Sequence, residues 1–299
     1  MSSTPFPPTI NERFILNWGF QFIAYTLDTA LWGIAMALVL QYFRNFPRDP
    51  FSMRIVVGIL GIVTTIHTIF SAILNYRIFV TNYGNLPAED VISFEANVML
   101  CSVFVVAFTA QMFYATRIWI LTKKSWRYVT PVVLMALLQF SSGIAQTISV
   151  AKVHLFSKLQ ENTRATSSLQ SASALACDLM ITGILFSVLR RAHTGAERTD
   201  SALDKMMIYA LNRGAMTSLF ALLQLIFFVA MPETFVFMMF ILPSCHLYVI
   251  SVCSMLISRE SIRAELYRAT GRPFGMTTLD SSHRPHDGNN NNIDSIHVS

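Results

Sequence analysis

The sequence predicts an all-α, polytopic membrane protein: a bundle of seven transmembrane helices with the N-terminus outside and the C-terminus in the cytosol. Three observations carry this. Apolar residues make up 53% of the 299 and charged residues only 13%, against roughly 25% charged in ordinary soluble chains, and the mean hydropathy is +0.49. The few charges bound long charge-poor stretches. Lys and Arg concentrate in alternate loops. A soluble domain of this length needs a charged surface that this composition does not supply.

A hydrocarbon core about 30 Å thick takes about 20 apolar residues at 1.5 Å each. Between Arg13 and Arg44 the one charge is Asp28, which places a span near 17–43. Further spans lie near 55–76, 95–117, 128–151 and 168–189, the fourth with Pro131 at its start, where proline is tolerated. The fifth holds Asp178. A sixth, near 206–231, contains Arg213, and the seventh runs near 234–257. No β-barrel alternation occurs. The first span is not a cleaved signal, because its apolar run is too long and a basic leader segment is missing.

The loops at 44–54, 117–127 and 190–205, with the tail from 258, hold 16 Lys and Arg; the N-terminus and the other loops hold 5. The positive-inside rule therefore puts the N-terminus outside. Residues 1–16 read as a disordered extracellular segment, 17–258 as the transmembrane domain and 259–299 as a cytosolic tail. That tail opens on a short basic helix (Arg259, Arg263, Arg268) and then turns polar and disordered. The partners implied are the lipid bilayer and, at the basic inner loops and tail, a cytosolic protein. The net charge of +5 has its source in those loops and does not call for nucleic acid. Plasma membrane and endomembranes are not distinguished.

Several chemistries fail on their residues. Retinal Schiff-base chemistry needs a lysine inside the bundle, and Lys123, Lys124, Lys152, Lys158 and Lys205 all lie in or at loops. The third span ends in Ala115-Thr116-Arg117, without the acidic-Arg-aromatic triplet of rhodopsin-type receptors. Cys101, Cys177, Cys245 and Cys253 have no C-x-x-C spacing, so neither a zinc site nor a disulfide framework is expected. No catalytic motif, metal set or cofactor site is found, and no enzyme is expected.

Ionisable residues at membrane depth are costly and are functional candidates by default. Here they are Asp28, His67, Asp178, Arg213 and His246, the candidate intramembrane polar site or ligand or proton pathway. Counted from the cytoplasmic span ends at 1.5 Å per residue, Asp178, His246 and His67 lie about 16–18 Å deep, Arg213 about 11–12 Å and Asp28 about 22 Å. The first three thus share a level. Asp178 and Arg213, on consecutive helices, are expected to form a structural ion pair. Gln111, Gln139, Gln146 and Gln224 are candidates for interhelical hydrogen bonds, and the small-residue run 167–174 allows close helix approach.

The second half of the chain resembles a known family. Ala176-Cys177-Asp178, Arg190-Arg191-Ala192-His193-Thr194-Gly195 and Arg198-Thr199-Asp200-Ser201 are similar to the membrane domain of unknown function number 6534 of basidiomycete fungi, as are Tyr209, Arg213-Gly214, Thr217-Ser218, Leu247-Tyr248-Val249 and Ser258-Arg259. The family-like region covers about 170–262. The resemblance implies a seven-span protein and no established activity, ligand or cofactor.

The functional expectation is a receptor-like or sensor-like protein. The alternatives are a transporter or proton-coupled carrier using the midplane Asp and His residues, and behind it a membrane-embedded metal-dependent hydrolase.

Overall fold

The computed structural model describes residues 8–82, 85, 91–153, 159–191, 197–231 and 234–270, with side chains described for 17–82, 85, 91–153, 163–191, 208, 211–212, 214–231 and 234–258. Seven α-helices account for nearly all of them: α1 (Pro8–Asn45), α2 (Phe51–Tyr76), α3 (Phe94–Leu121), α4 (Trp126–Val153), α5 (Leu159–Arg191), α6 (Glu197–Ala230) and α7 (Met238–Thr270). A π-helical turn, Arg77–Thr81, extends α2.

Six of the helices are long and apolar enough to cross a membrane; in α6 the described apolar stretch is shorter, Gly214–Ala230. Their outward faces carry large apolar side chains such as Phe22, Ile34, Ile62, Phe94, Leu134 and Leu179, which fits a lipid surround and would be untenable in water.

The helices extend beyond the apolar stretches that mark them in the sequence. α1 begins at Pro8, so residues 8–16, expected to be disordered, are helical; proline at a first helical position is preset for that conformation. α7 continues through Ser258 to Thr270. Residues 1–7 and the tail from 271 lie outside the described residues. α2 starts at Phe51, directly after Pro50, four residues before the expected span. Pro131 accordingly sits inside α4 and not in its first turn.

Each helix packs against the next, and α1 packs against α7, which closes a ring; α3 also contacts α5 and α7 and so runs through the middle. Its inward side is buried from Ala96 to Ile118. Polar side chains tie the ring together. Asn17 Oδ1 accepts the Phe235 N–H at 3.1 Å, joining α1 to the segment before α7. Gln111 Nε2 donates to Gln139 Oε1 between α3 and α4. Gln224 Nε2 on α6 donates to Ser171 Oγ on α5 at 2.8 Å, inside the small-residue run. Tyr114 and Ser251 pair their hydroxyls at 2.6 Å between α3 and α7. In an apolar surround each such bond fixes register, with a typical worth of about 0.6 kcal/mol.

Close backbone approach occurs at two glycines. A Cβ on Gly143 would meet the buried Phe104 ring at 2.6 Å, and one on Gly214 would collide with Thr182. These helices pack on each other's backbones at those positions.

Candidate functional site

Three helices that meet where the ring closes bring Asp28, His67 and His246 together. All three side chains are fully buried. His246 Nε2 lies 2.8 Å and His67 Nε2 3.2 Å from the same atom, Asp28 Oδ1. The two imidazoles stand edge to face, with centroids 5.6 Å apart. Each ring is anchored at its far nitrogen. His246 Nδ1 is 2.7 Å from Thr64 Oγ1, and His67 Nδ1 is 3.0 Å from the carbonyl oxygen of Met99 on α3.

Helix arithmetic explains the meeting. His67 stands 16 residues from the start of α2 at Phe51, and Asp28 stands 17 from the end of α1 at Asn45. At 1.5 Å per residue both lie about 24–26 Å from the same side of the bundle. Because α2 starts at Phe51 and not near residue 55, His67 lies about 6 Å deeper than the apolar stretch alone implies. On α7, Pro243 stands three residues before His246; it lacks the N–H that would bond the Met239 carbonyl, and the helix loosens there.

The Met99 contact fixes the protonation pattern. A carbonyl oxygen can only accept, so His67 Nδ1 carries a hydrogen. If His67 is neutral, its Nε2 presents a lone pair to Asp28 Oδ1. That arrangement is repulsive unless a proton or a cation lies between them. His246 has no such conflict: Nε2–H can donate to Asp28 while Nδ1 accepts from the Thr64 hydroxyl. Asp28 Oδ2, equally buried, has no hydrogen-bond partner among the described residues.

The other candidates lie elsewhere. Asp178 Oδ2 on α5 accepts from the Tyr248 hydroxyl on α7 at 2.8 Å, while the carboxylate bonded to the two histidines is that of Asp28. The Arg213 side chain lies outside the described residues, and with it the Asp178–Arg213 pair. Asp28 and His67 lie on adjacent helices, and the sequence carries both; the signal linking them to His246 is a ring closure that no local pattern reveals.

On the N-terminal side of the three residues lies a cavity of about 60 Å³, lined chiefly by apolar side chains, among them Trp18, Leu74, Met99 and Phe237, with Gln21 and Gln146 the polar ones. Gln21 is two turns from Asp28, Leu74 two turns from His67 and Leu242 one turn from His246, so three walls descend directly to the site. Among the described residues neither amide atom of Gln21 has a hydrogen-bond partner, nor does Gln146 Oε1. A volume of this size holds a few waters or the polar end of a small ligand. Toward the opposite side Ala35, Val39 and Tyr42 of α1, Val57 and Leu60 of α2, and Val249, Val252 and Leu256 of α7 are all buried, and a wider pocket of about 390 Å³ opens between α2 and α3, lined by Met53, Val56, Phe108, Met112 and Arg117 among others.

Residues 174–261 match a family of unknown function, DUF6534. No curated protein and no solved structure gives a significant match. The matched segment contains Asp178, His246 and Tyr248, whereas Asp28 and His67 stand outside it.

Proposed function

We propose that this protein is a seven-span, receptor-like or sensor-like membrane protein, N-terminus outside and C-terminus cytosolic, that binds a small ligand without turning it over. The ligand enters the cavity beside Gln21 and Gln146 from the outer side, and its binding is felt by α1, α2 and α7 through Asp28, His67 and His246. Basic inner loops and the basic start of the tail offer the cytosolic surface for an acidic partner.

The observation that carries this reading is the cavity of about 60 Å³ beside the Asp–His site, into which buried amide atoms of Gln21 and Gln146 that lack hydrogen-bond partners among the described residues are set. A carrier must open its site to both faces in turn. The ligand that fits is small and mostly apolar with one hydrogen-bonding group, because the walls are apolar apart from two amides.

Two measurements test it. An epitope at the N-terminus should stain in intact cells and one at the C-terminus only after permeabilisation. A membrane-impermeant thiol reagent applied outside should label Gln21→Cys above the wild-type background and leave Val249→Cys unlabelled from either side. Labelling of Val249→Cys from the cytosol would favour the carrier. Absence of labelling at Gln21→Cys would remove the outer entrance, and the receptor reading with it.

A further inference from the structure

We propose that Asp28, His67 and His246 form an intramembrane binding site for a divalent transition-metal ion of the zinc class. The site stands on its own geometry and does not depend on the receptor-like reading.

Four observations converge. First, one carboxylate and two imidazole nitrogens, on three different helices, all bring a ligand-capable atom within 4.8 Å of one another. Zinc bonds of about 2.0–2.1 Å to nitrogen and oxygen require neighbouring tetrahedral ligands about 3.3 Å apart; the two Nε2–Oδ1 separations are 2.8 and 3.2 Å. To admit the ion those two edges lengthen by up to about 0.5 Å, and the two imidazole nitrogens, which lie within 4.8 Å of each other, settle to the same spacing.

Second, both histidines are held at Nδ1, by Met99 O and by Thr64 Oγ1. Ligating histidines are characteristically fixed by such a bond at the far nitrogen; His67 already donates there, and with the metal bound His246 takes the Nδ1–H tautomer and donates to Thr64 Oγ1, freeing its Nε2 lone pair.

Third, the Met99 carbonyl requires a hydrogen on His67 Nδ1, so a neutral His67 aims a lone pair at Asp28 Oδ1. A metal ion is the occupant toward which all three inward atoms can keep their lone pairs. A proton on His67 Nε2, with His246 donating from its own Nε2, is the competing occupant, and the two are distinguished by the test below.

Fourth, Asp28 Oδ2 is buried and without a partner among the described residues, an expensive state in an apolar bundle. With the metal bound it can join the coordination. Two neutral imidazoles, one carboxylate and a dication leave one positive charge, which a hydroxide or other small anion on the open fourth position neutralises. Donor set and charge favour zinc, ferrous iron or cobalt over calcium or magnesium, which prefer all-oxygen ligands.

The test uses the full chain, purified in detergent through a histidine-free affinity tag. The protein is loaded with Zn²⁺, passed through a desalting column and assayed for metal by mass spectrometry. About one zinc per chain is expected in the wild type, falling at least fivefold in Asp28→Asn, His67→Gln and His246→Gln. Residual binding by histidines elsewhere in the chain is common to all four proteins. Because a variant may not fold, the wild type is also loaded with Co²⁺. An intense visible spectrum of tetrahedral type, and a melting temperature raised by Zn²⁺ and lowered by a chelator, are the expected results.

Three outcomes would overturn the proposal. One is a folded wild type that retains no metal and melts identically with Zn²⁺ and chelator. Another is a weak, octahedral Co²⁺ spectrum. The third is equal zinc content in wild type and folded variants. Melting that responds to pH but not to metal would assign the site to a bound proton instead.

Discussion

His67 Nδ1 stands 3.0 Å from the carbonyl oxygen of Met99, and this one contact between α2 and α3 determines which histidine nitrogen faces Asp28. A backbone carbonyl offers no proton, so the hydrogen on Nδ1 is obligatory whatever occupies the space beyond Nε2. In protein carrying ¹⁵N-labelled histidine, long-range ¹H–¹⁵N correlations should show His67 protonated at Nδ1, with the resonance assigned by its loss in His67→Gln. A spectrum in which His67 bears hydrogen only on Nε2 would contradict the contact.

Thr64 is the corresponding anchor for His246, at 2.7 Å, and it is fully buried. Thr64→Val keeps the shape and removes the hydroxyl, leaving His246 Nδ1 unsatisfied at a cost of about 1–3 kcal/mol. Thr64→Ser should keep most of the wild-type stability. Reversible unfolding in mixed micelles measures the difference; equal losses in the two variants would mean that the methyl group, not the hydroxyl, matters at this position.

Helix count and apolar stretches were legible because lipid imposes a length on each span, and charges such as Arg44, Arg54 and Arg77 punctuate them. Helix ends were not. Phe51–Arg54 and Pro8–Leu16 are helical outside the apolar stretches, since a helix needs only its own hydrogen bonds to continue into a polar boundary. That four-residue difference at the start of α2 is what put Asp28 and His67 at unequal depths in the sequence reading. Asp28 and His246 are 218 residues apart, and their meeting depends on α1 packing beside α7. Sequence reasoning pairs neighbours along the chain, hence Asp178 with Arg213. It has no view of Tyr248, whose hydroxyl Asp178 accepts.

The Asp178 environment yields a separable prediction. Tyr248→Phe removes a buried hydrogen bond to a carboxylate and should cost about 1.5–3 kcal/mol. If Arg213 also pairs with Asp178, Asp178→Asn and Arg213→Gln should each reduce folded yield, and the double variant should recover part of the loss. Size-exclusion profiles of the four proteins measure this. Purely additive losses would dismiss the Arg213 pairing while leaving the Tyr248 contact intact.

Gly143 tests the centre of the bundle independently of any polar group. It faces Phe104, one of the largest fully buried side chains of α3, and an added Cβ would fall 2.6 Å from the ring. Both residues are hemmed in, so the ring has little room to retreat. Overpacking of this kind costs about 1–3 kcal/mol, against a gain of roughly 1 kcal/mol when alanine replaces glycine inside a helix. Gly143→Ala should therefore lower the melting temperature despite the better helix former. Gly143→Ala with Phe104→Leu should restore it, because the smaller side chain vacates the space the new Cβ needs. A single variant more stable than the wild type would show that α3 and α4 are less closely packed at this crossing than the glycine implies.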